Sequence, residues 1–187
     1  MAGKFLLSLL IGIVSLGMTL GAPTVYPEVI PGPGLPTLAE LNLTSAQLYE
    51  LGRPNTTALL RHGVTLSPRW EGRCGPEDGA YAKVDDVIAC FHYLLSLDTR
   101  PCKSIHYPNN NRLCQAGGAQ IFVFTTNIQH AESYWQVSDV ARGALWVIDH
   151  CTRPDMTSAG WQAAYGNGFL IVNVANLGWF NDPDWTR

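Results

Sequence analysis

The stretch GGAQIFVFTT at residues 117–126 decides the fold. A glycine pair that favours a turn precedes eight residues rich in β-branched and aromatic side chains, which have the composition and length of a buried strand. A second stretch of this kind, GFLIVNVA at residues 168–175, follows the turn signal Gly166-Asn167. We therefore expect two strands here, and a weaker one at residues 64–66 or 69–73.

Two amphipathic helices are predicted around the first strand. Over residues 83–97 the apolar side chains recur three or four positions apart, and Asp85 and Asp86 lie near the start, where the helix dipole favours them. Residues 138–150 have the same period, with Ser138 as the expected N-cap. The alternation of strands and helices predicts an α+β fold, a two-layer α/β sandwich with two helices on one face of a mostly antiparallel sheet.

This sandwich is expected to occupy residues 63–178, and the chain before it is expected to begin with an export signal. Residues 1–21 have the form of a signal peptide, because Lys4 precedes an apolar core that ends in small residues. A membrane anchor is the alternative, but it needs about 20 apolar residues and a stop-transfer flank. We therefore expect a secreted, extracellular protein without a transmembrane anchor.

Residues 22–62 and 179–187 are expected to lie outside the sandwich. The five prolines of residues 22–36 indicate an extended linker. Residues 37–62 are predicted to be a helical extension, since Thr37 and Glu40 have the spacing of a capping box. Two glycosylation sequons begin at Asn42 and Asn55, and residues 179–187 are expected to be a C-terminal tail.

Composition narrows the classes of partner. With 12 basic and 15 acidic residues, the chain has no excess of positive charge for binding nucleic acid. No pair of cysteines or histidines has the close spacing of a zinc site, so neither a metal nor another cofactor is expected. A monomer of one domain is expected.

Five cysteines in an exported chain should pair and leave one over. Cys90 lies among the apolar positions of the first helix and is expected to be the unpaired, buried thiol. Cys102 and Cys114 bracket a polar stretch and are expected to pair. A bond between Cys74 and Cys151 would then close the helical layer.

Several short motifs resemble the virally encoded killer toxins of smut fungi and related secreted fungal effectors. The resemblance spans roughly residues 74–176 and is carried by five segments, which are Pro101-Cys102, NRLC at 111–114, GGAQIFV at 117–123, IDHC at 148–151 and YGNGFLIVNV at 165–174. Those families are disulfide-bonded α/β sandwiches. The toxins also tie the segment before the first helix to the end of the second, although this chain has half their cysteines.

The resemblance implies a non-enzymatic effector or toxin that binds an extracellular or membrane-protein target, for which an ion channel is one candidate. Arg112 occupies the position of a toxin residue implicated in blocking calcium channels. The predicted loop at residues 103–113 carries it together with Lys103, His106 and Tyr107, and these four are the expected target-binding residues. For Arg112, an ordinary solvated loop position is the alternative.

Two other functions stay open. Six tryptophans are many for this length, and Trp161 and Trp179 lie in segments where full burial is not expected, so they could bind cell-wall carbohydrate. A linear row of exposed rings would favour a polysaccharide, whereas a mixed patch would favour a protein. A small extracellular hydrolase or ribonuclease is the third candidate, but the five histidines do not converge on a catalytic motif.

Overall fold

The computed structural model describes residues 24–55, 71–106, 111–125, 134–165 and 167–179. Within these ranges the helices are α1 (Ser45–Glu50), α2 (Val84–Ser96) and α3 (Val137–Cys151), and a 3-10 turn spans Asp78–Ala80. The strands, in chain order, are β1 (Val29–Pro31), β2 (Arg73–Cys74), β3 (Ala82–Lys83), β4 (Pro101–Lys103), β5 (Ile105–His106), β6 (Asn111–Ala116), β7 (Ala119–Thr125), β8 (Tyr134–Gln136), β9 (Thr157–Ser158), β10 (Gly160–Ala164) and β11 (Asn167–Asn176).

Seven strands form the main sheet. Its order is β1-β6-β7-β11-β10-β2, with every neighbouring pair antiparallel, and β5 pairs with β7 in parallel. The two strongly predicted strands, β7 and β11, lie at its centre and match their predicted ranges to within one residue. Two short ribbons, β3–β9 and β4–β8, lie outside this sheet.

Helices α2 and α3 pack against each other and against one face of the sheet, which we call the inner face. Their buried apolar residues form the main core with the inward-facing positions of β7 and β11, among them Ile121 and Val172. The two-layer α+β sandwich is therefore confirmed. The predicted N-cap is wrong: Gln136 occupies that position, and Ser138 lies inside α3, where its N–H donates to the carbonyl of Asp98 (3.1 Å).

One of the two predicted disulfides is confirmed. Cys74 and Cys151 are bonded, which ties β2 to the end of α3. The expected Cys102–Cys114 bond is wrong, because Cys114 is bonded to Cys90 and Cys102 is a buried thiol in β4. Cys90 lies on the buried face of α2 and Cys114 on an inward-facing position of β6, so their Cα atoms are 5.6 Å apart across the two layers.

The proline-rich segment is not a linker. Strand β1 pairs with β6, and the Val29 side chain is 1% exposed within the main core. The next residue after β1, Gly32, donates its N–H to the carbonyl of Leu113 (2.8 Å). A Cβ at this glycine would lie 2.0 Å from the Arg112 carbonyl oxygen, so the chain crosses β6 too closely for a side chain. The packed part of the molecule therefore begins well before residue 63.

Residues 24–55, which we call the arm, continue over α2. Thr37 and Glu40 form the hydrogen bonds of the predicted capping box, but residues 38–42 make only turns. The helix comes later, since α1 follows a second capping box between Thr44 and Gln47. Leu48 of α1 is buried in the main core. The arm is thus a packed layer rather than a separate extension.

The predicted signal peptide, a strand at residues 64–66 and most of the predicted C-terminal tail lie outside the described residues. Of the alternative strand at residues 69–73, only Arg73 is in a strand, because β2 covers Arg73 and Cys74, and residues 69 and 70 lie outside the described ranges. Among the helices described, none is long and apolar enough to cross a bilayer.

Candidate binding face of the sheet

The face of the main sheet opposite α2 and α3, which we call the outer face, carries a second and smaller apolar cluster. Its buried members are Phe122, Phe124, Ala163, Ile171 and Ala175. Two tryptophans pack against this cluster while remaining half-buried, Trp161 on β10 and Trp179 just after β11. The two residues predicted to bind carbohydrate therefore lie on the same face.

Strand alternation explains how this face is assembled. In β11, Leu170, Val172 and Val174 enter the main core, so the residues between them point outward. In β2, Cys74 is fixed toward α3 by its disulfide, and its neighbour Arg73 therefore faces outward. The face is thus set by the same packing that forms the core.

The pairing register aligns five outward residues in one row across five strands. The row runs Arg73, Trp161, Asn173, Phe122, Arg112. Since neighbouring strands are about 4.8 Å apart, the two arginines lie roughly 19 Å from each other at opposite ends of the row. Both arginines are exposed. They are the charged residues that the described main-sheet strands direct outward.

Asn173 lies between two aromatic rings of this row. Its side chain is 4% exposed, and no described residue hydrogen bonds with its amide group. The two donors and the acceptor of this amide therefore have no described partner, but the residue is almost fully buried. At the surface, the row therefore presents two exposed arginines and the half-buried ring of Trp161, with Asn173 and Phe122 buried between them.

Trp179 extends the face toward the 3-10 turn. The position of a Cβ on Gly79 would be 3.5 Å from Cζ3 of the Trp179 ring, so the ring lies against the turn backbone. The residue predicted to begin a tail is therefore packed on the sandwich.

The described parts of the predicted binding loop, residues 103–106 and 111–113, are largely strand. Lys103 pairs with Tyr134 in the β4–β8 ribbon, whereas His106 is on β5, beside β7. The amide of Asn111 donates to the Lys103 carbonyl (2.9 Å) and holds the ends of the segment together. Tyr107 lies outside the described residues. The three described residues of the predicted group lie on three different strands, which are β4 for Lys103, β5 for His106 and β6 for Arg112.

Arg112 lies instead on the same face as the other predicted group, three strands away from Trp161. Arg112 of β6 pairs with Phe122 of β7, and the register between these two strands shifts by one residue between Arg112 and Cys114. Arg112 and Trp161 are both on the outer face. Sequence reasoning missed Arg73 and Asn173. The signal for Asn173 was a polar residue within an apolar strand, which indicates a side chain on the face opposite the core. For Arg73 the signal was its position next to Cys74, because the disulfide of Cys74 to α3 directs the neighbouring side chain to the outer face.

Two of the histidines considered for catalysis have structural contacts. The Nε2 atom of His92 is 2.8 Å from the Gly52 carbonyl oxygen of the arm, and the His150 ring stacks on Trp146 with centroids 4.5 Å apart. Asp85 is exposed whereas Asp86 is buried, so the two carboxylates do not act as a pair. Within the described ranges, no group of three His, Cys, Asp or Glu residues could hold a metal ion.

Both predicted glycosylation sites are on the arm. The side chains of Asn42 and Asn55 are exposed. Asn42 lies three positions before the first residue of α1 and adopts a positive φ of 53°, in a turn. A glycan at either position would project from the arm.

Comparison with known proteins gives one match. No curated protein and no solved structure matches the chain. The family described as a domain of unknown function, DUF8794, matches residues 70–176, which include β2 to β11, both long helices and both disulfides. This stretch is more than half of the chain, and the arm precedes it. The chain therefore belongs to the DUF8794 family.

Proposed function

We propose that this is a secreted, non-enzymatic protein that binds an extracellular or membrane-protein target through the outer face of its sheet. The observation that carries the proposal is the row from Arg73 to Arg112, in which two exposed arginines flank the half-buried Trp161 on one face of the sheet. Tryptophan and arginine are the residue types enriched at the energetic centres of protein interfaces. A target with acidic groups flanking an apolar patch would complement this row.

Export is part of the proposal. Residues 1–21 have the charge and apolar pattern of a signal peptide. Two disulfides connect the layers of the sandwich, and such bonds persist mainly in oxidising compartments. The resemblance to secreted killer toxins points the same way, and Arg112 occupies an exposed position, as a contact with a target requires.

Carbohydrate binding is the second candidate, and Asn173 favours it. Aromatic rings stack on sugar faces, and an adjacent amide can hydrogen bond with hydroxyl groups. Against it, Trp161 and Trp179 are half-buried and share the face with two exposed arginines. A mixed surface of this kind fits a protein better than a neutral polysaccharide chain.

Binding arrays separate the two candidates. The protein lacking residues 1–21 would be applied to an array of extracellular protein domains and to a glycan array. We expect saturable binding to a protein domain that weakens as salt is raised, because the exposed arginines contribute through screened charges. Binding to glycans alone would replace the proposal with the carbohydrate candidate, and binding to neither array would reject both.

A further inference from the structure

An open cavity of about 370 Å³ lies between the arm and the segment that follows α2. The arm provides five of its lining residues, Gly34, Leu35, Pro36, Glu40 and Leu41, and Arg100 provides the sixth. This volume is within the range of small-molecule sites in proteins. The cavity is separate from the row on the outer face, since the two share no residue.

The walls of the cavity are held in place by the core. Tyr93 is fully buried and donates its hydroxyl to the Pro36 carbonyl (2.7 Å). Leu35 and Leu41 pack against the main core. On the other side, the Arg100 N–H donates to the Leu97 carbonyl (3.1 Å), and the Arg100 carbonyl accepts from the Val137 N–H (2.9 Å). The backbone around the cavity is therefore fixed before any ligand arrives.

The cavity carries two opposite charges that do not form an ion pair with each other. Oε2 of Glu40 accepts from the Thr37 N–H (2.7 Å) and from the Thr37 hydroxyl (3.0 Å). These bonds lower the pKa of Glu40, and the nearby positive charge of Arg100 lowers it further, so the carboxylate is ionised at neutral pH. No described carboxylate lies within ion-pair distance of the Arg100 guanidinium.

From this arrangement we infer that the cavity binds a small zwitterion with an apolar side chain, of the amino-acid or dipeptide class. Its carboxylate meets Arg100, which presents several N–H donors to a planar anion. Its ammonium group meets Glu40, and its side chain covers Leu35 and Leu41. A ligand with only one charge would leave one of the two protein charges without a partner.

The affinity should be modest because both charges remain open to solvent. Exposed ion pairs contribute little each, so we expect a Kd of about 1 mM for L-leucine, measured by NMR titration of the whole secreted chain. Isocaproate lacks the ammonium group and isoamylamine lacks the carboxylate. Each should bind more weakly than L-leucine, by up to about fivefold.

Two charge-neutral variants test the assignment. Glu40→Gln keeps an acceptor for Thr37 and removes the charge, and Arg100→Gln removes the cation. Each should weaken leucine binding about fivefold and abolish the preference for leucine over the analogue that lacks the corresponding group. Glu50→Gln and Lys83→Gln, at exposed positions away from the cavity, are the matched controls.

Three results would overturn the inference. They are no saturable binding of L-leucine, isocaproate binding as tight as leucine binding, and equal binding by the wild-type protein and both charge-neutral variants.

Discussion

Single hydroxyl groups join the arm to the sandwich. Tyr93 donates to the Pro36 carbonyl, and Tyr49 donates to Oδ1 of Asp86 (2.8 Å). The other oxygen of Asp86 accepts from the Gly118 N–H (3.1 Å), so one buried carboxylate fixes both α1 and the turn between β6 and β7. Gly117 in this turn has a φ of +49°, and a Cβ there would lie 2.3 Å from Oδ2 of Asp86. The turn therefore needs its glycine for both conformation and space.

Burial shifts the ionisation of the Tyr93 hydroxyl to higher pH. It raises the pKa of Tyr93 from 10.0 to about 12, and burial beside Asp86 also raises the pKa of Tyr49. Because the folded state holds the Tyr93 proton more tightly than the unfolded state does, this stabilisation is complete below pH 10. It is lost as the pH rises toward 12.

The prediction is that Tyr93→Phe removes one phenol from the part of the ultraviolet titration that occurs above pH 10. It should also lower the free energy of unfolding by about 1 kcal/mol, since the Pro36 carbonyl loses its donor. A wild-type titration in which all tyrosines ionise together near their usual pKa would contradict this account.

At the scale of elements, β1 closes an edge of the main sheet. Antiparallel alternation directs the Val29 N–H away from β6, and the Ser45 hydroxyl accepts it (2.9 Å). The other outward position of β1 is Pro31, which has no N–H. The strand thus covers β6 and offers no backbone donor of its own to a further strand. Such edges resist pairing with other chains.

Truncating the chain so that it begins at Thr37 should therefore destabilise the protein. The loss of Val29 from the core and of the acceptor for Tyr93 should cost about 3 kcal/mol or more. In a chain of this size, this lowers Tm by roughly 10 °C. The exposed edge of β6 should also increase self-association on size-exclusion chromatography. A chain beginning at Thr24, which keeps β1, is the control, and equal Tm values would show that β1 does not contribute.

The Cys90–Cys114 bond joins α2 to the strand that β1 covers. It closes a short loop, because the two residues are 24 positions apart in sequence, and chain entropy predicts a contribution of about 3 kcal/mol. Replacing both cysteines with alanine should lower the free energy of unfolding by about that amount, whereas Cys102→Ala should leave both disulfides intact. A non-reduced peptide that joins Cys102 to Cys114 would contradict the assignment.

Sequence periodicity predicted the elements whose burial repeats regularly. Helices α2 and α3 and strands β7 and β11 have long apolar patterns, and all four were found. Strand β1 has only three residues and ends in proline, so its pairing with β6 left no periodic signal. The Cys90–Cys114 bond was missed because the segment before Cys114 was interpreted as a loop, and only its strand structure turns Cys114 toward α2.

At the scale of the whole molecule, the two faces of the main sheet have different roles. The inner face is filled by α2 and α3, and the arm covers α2 and one sheet edge. Among the described residues, the outer face carries a small apolar cluster against which two half-buried tryptophans pack. The chain has a formal net charge of −3, yet both charged residues in the outward row are arginines. This contrast with the overall charge supports the proposal that the outer face is the recognition surface.

The measurement that tests this claim most directly is array binding by matched variants on opposite faces. Arg112→Ala and Trp161→Ala change the outer face, and His150→Ala changes an exposed residue of α3. All three would be applied to the extracellular-domain array beside the wild-type protein, after their Tm values are compared.

We expect Arg112→Ala to weaken binding to the wild-type target about tenfold, since truncating an interface arginine commonly costs more than 1 kcal/mol, with Tm nearly unchanged. Trp161→Ala should weaken binding at least as much, and His150→Ala should bind as the wild type does. Undiminished binding by both outer-face variants, or loss of binding in His150→Ala alone, would contradict the account.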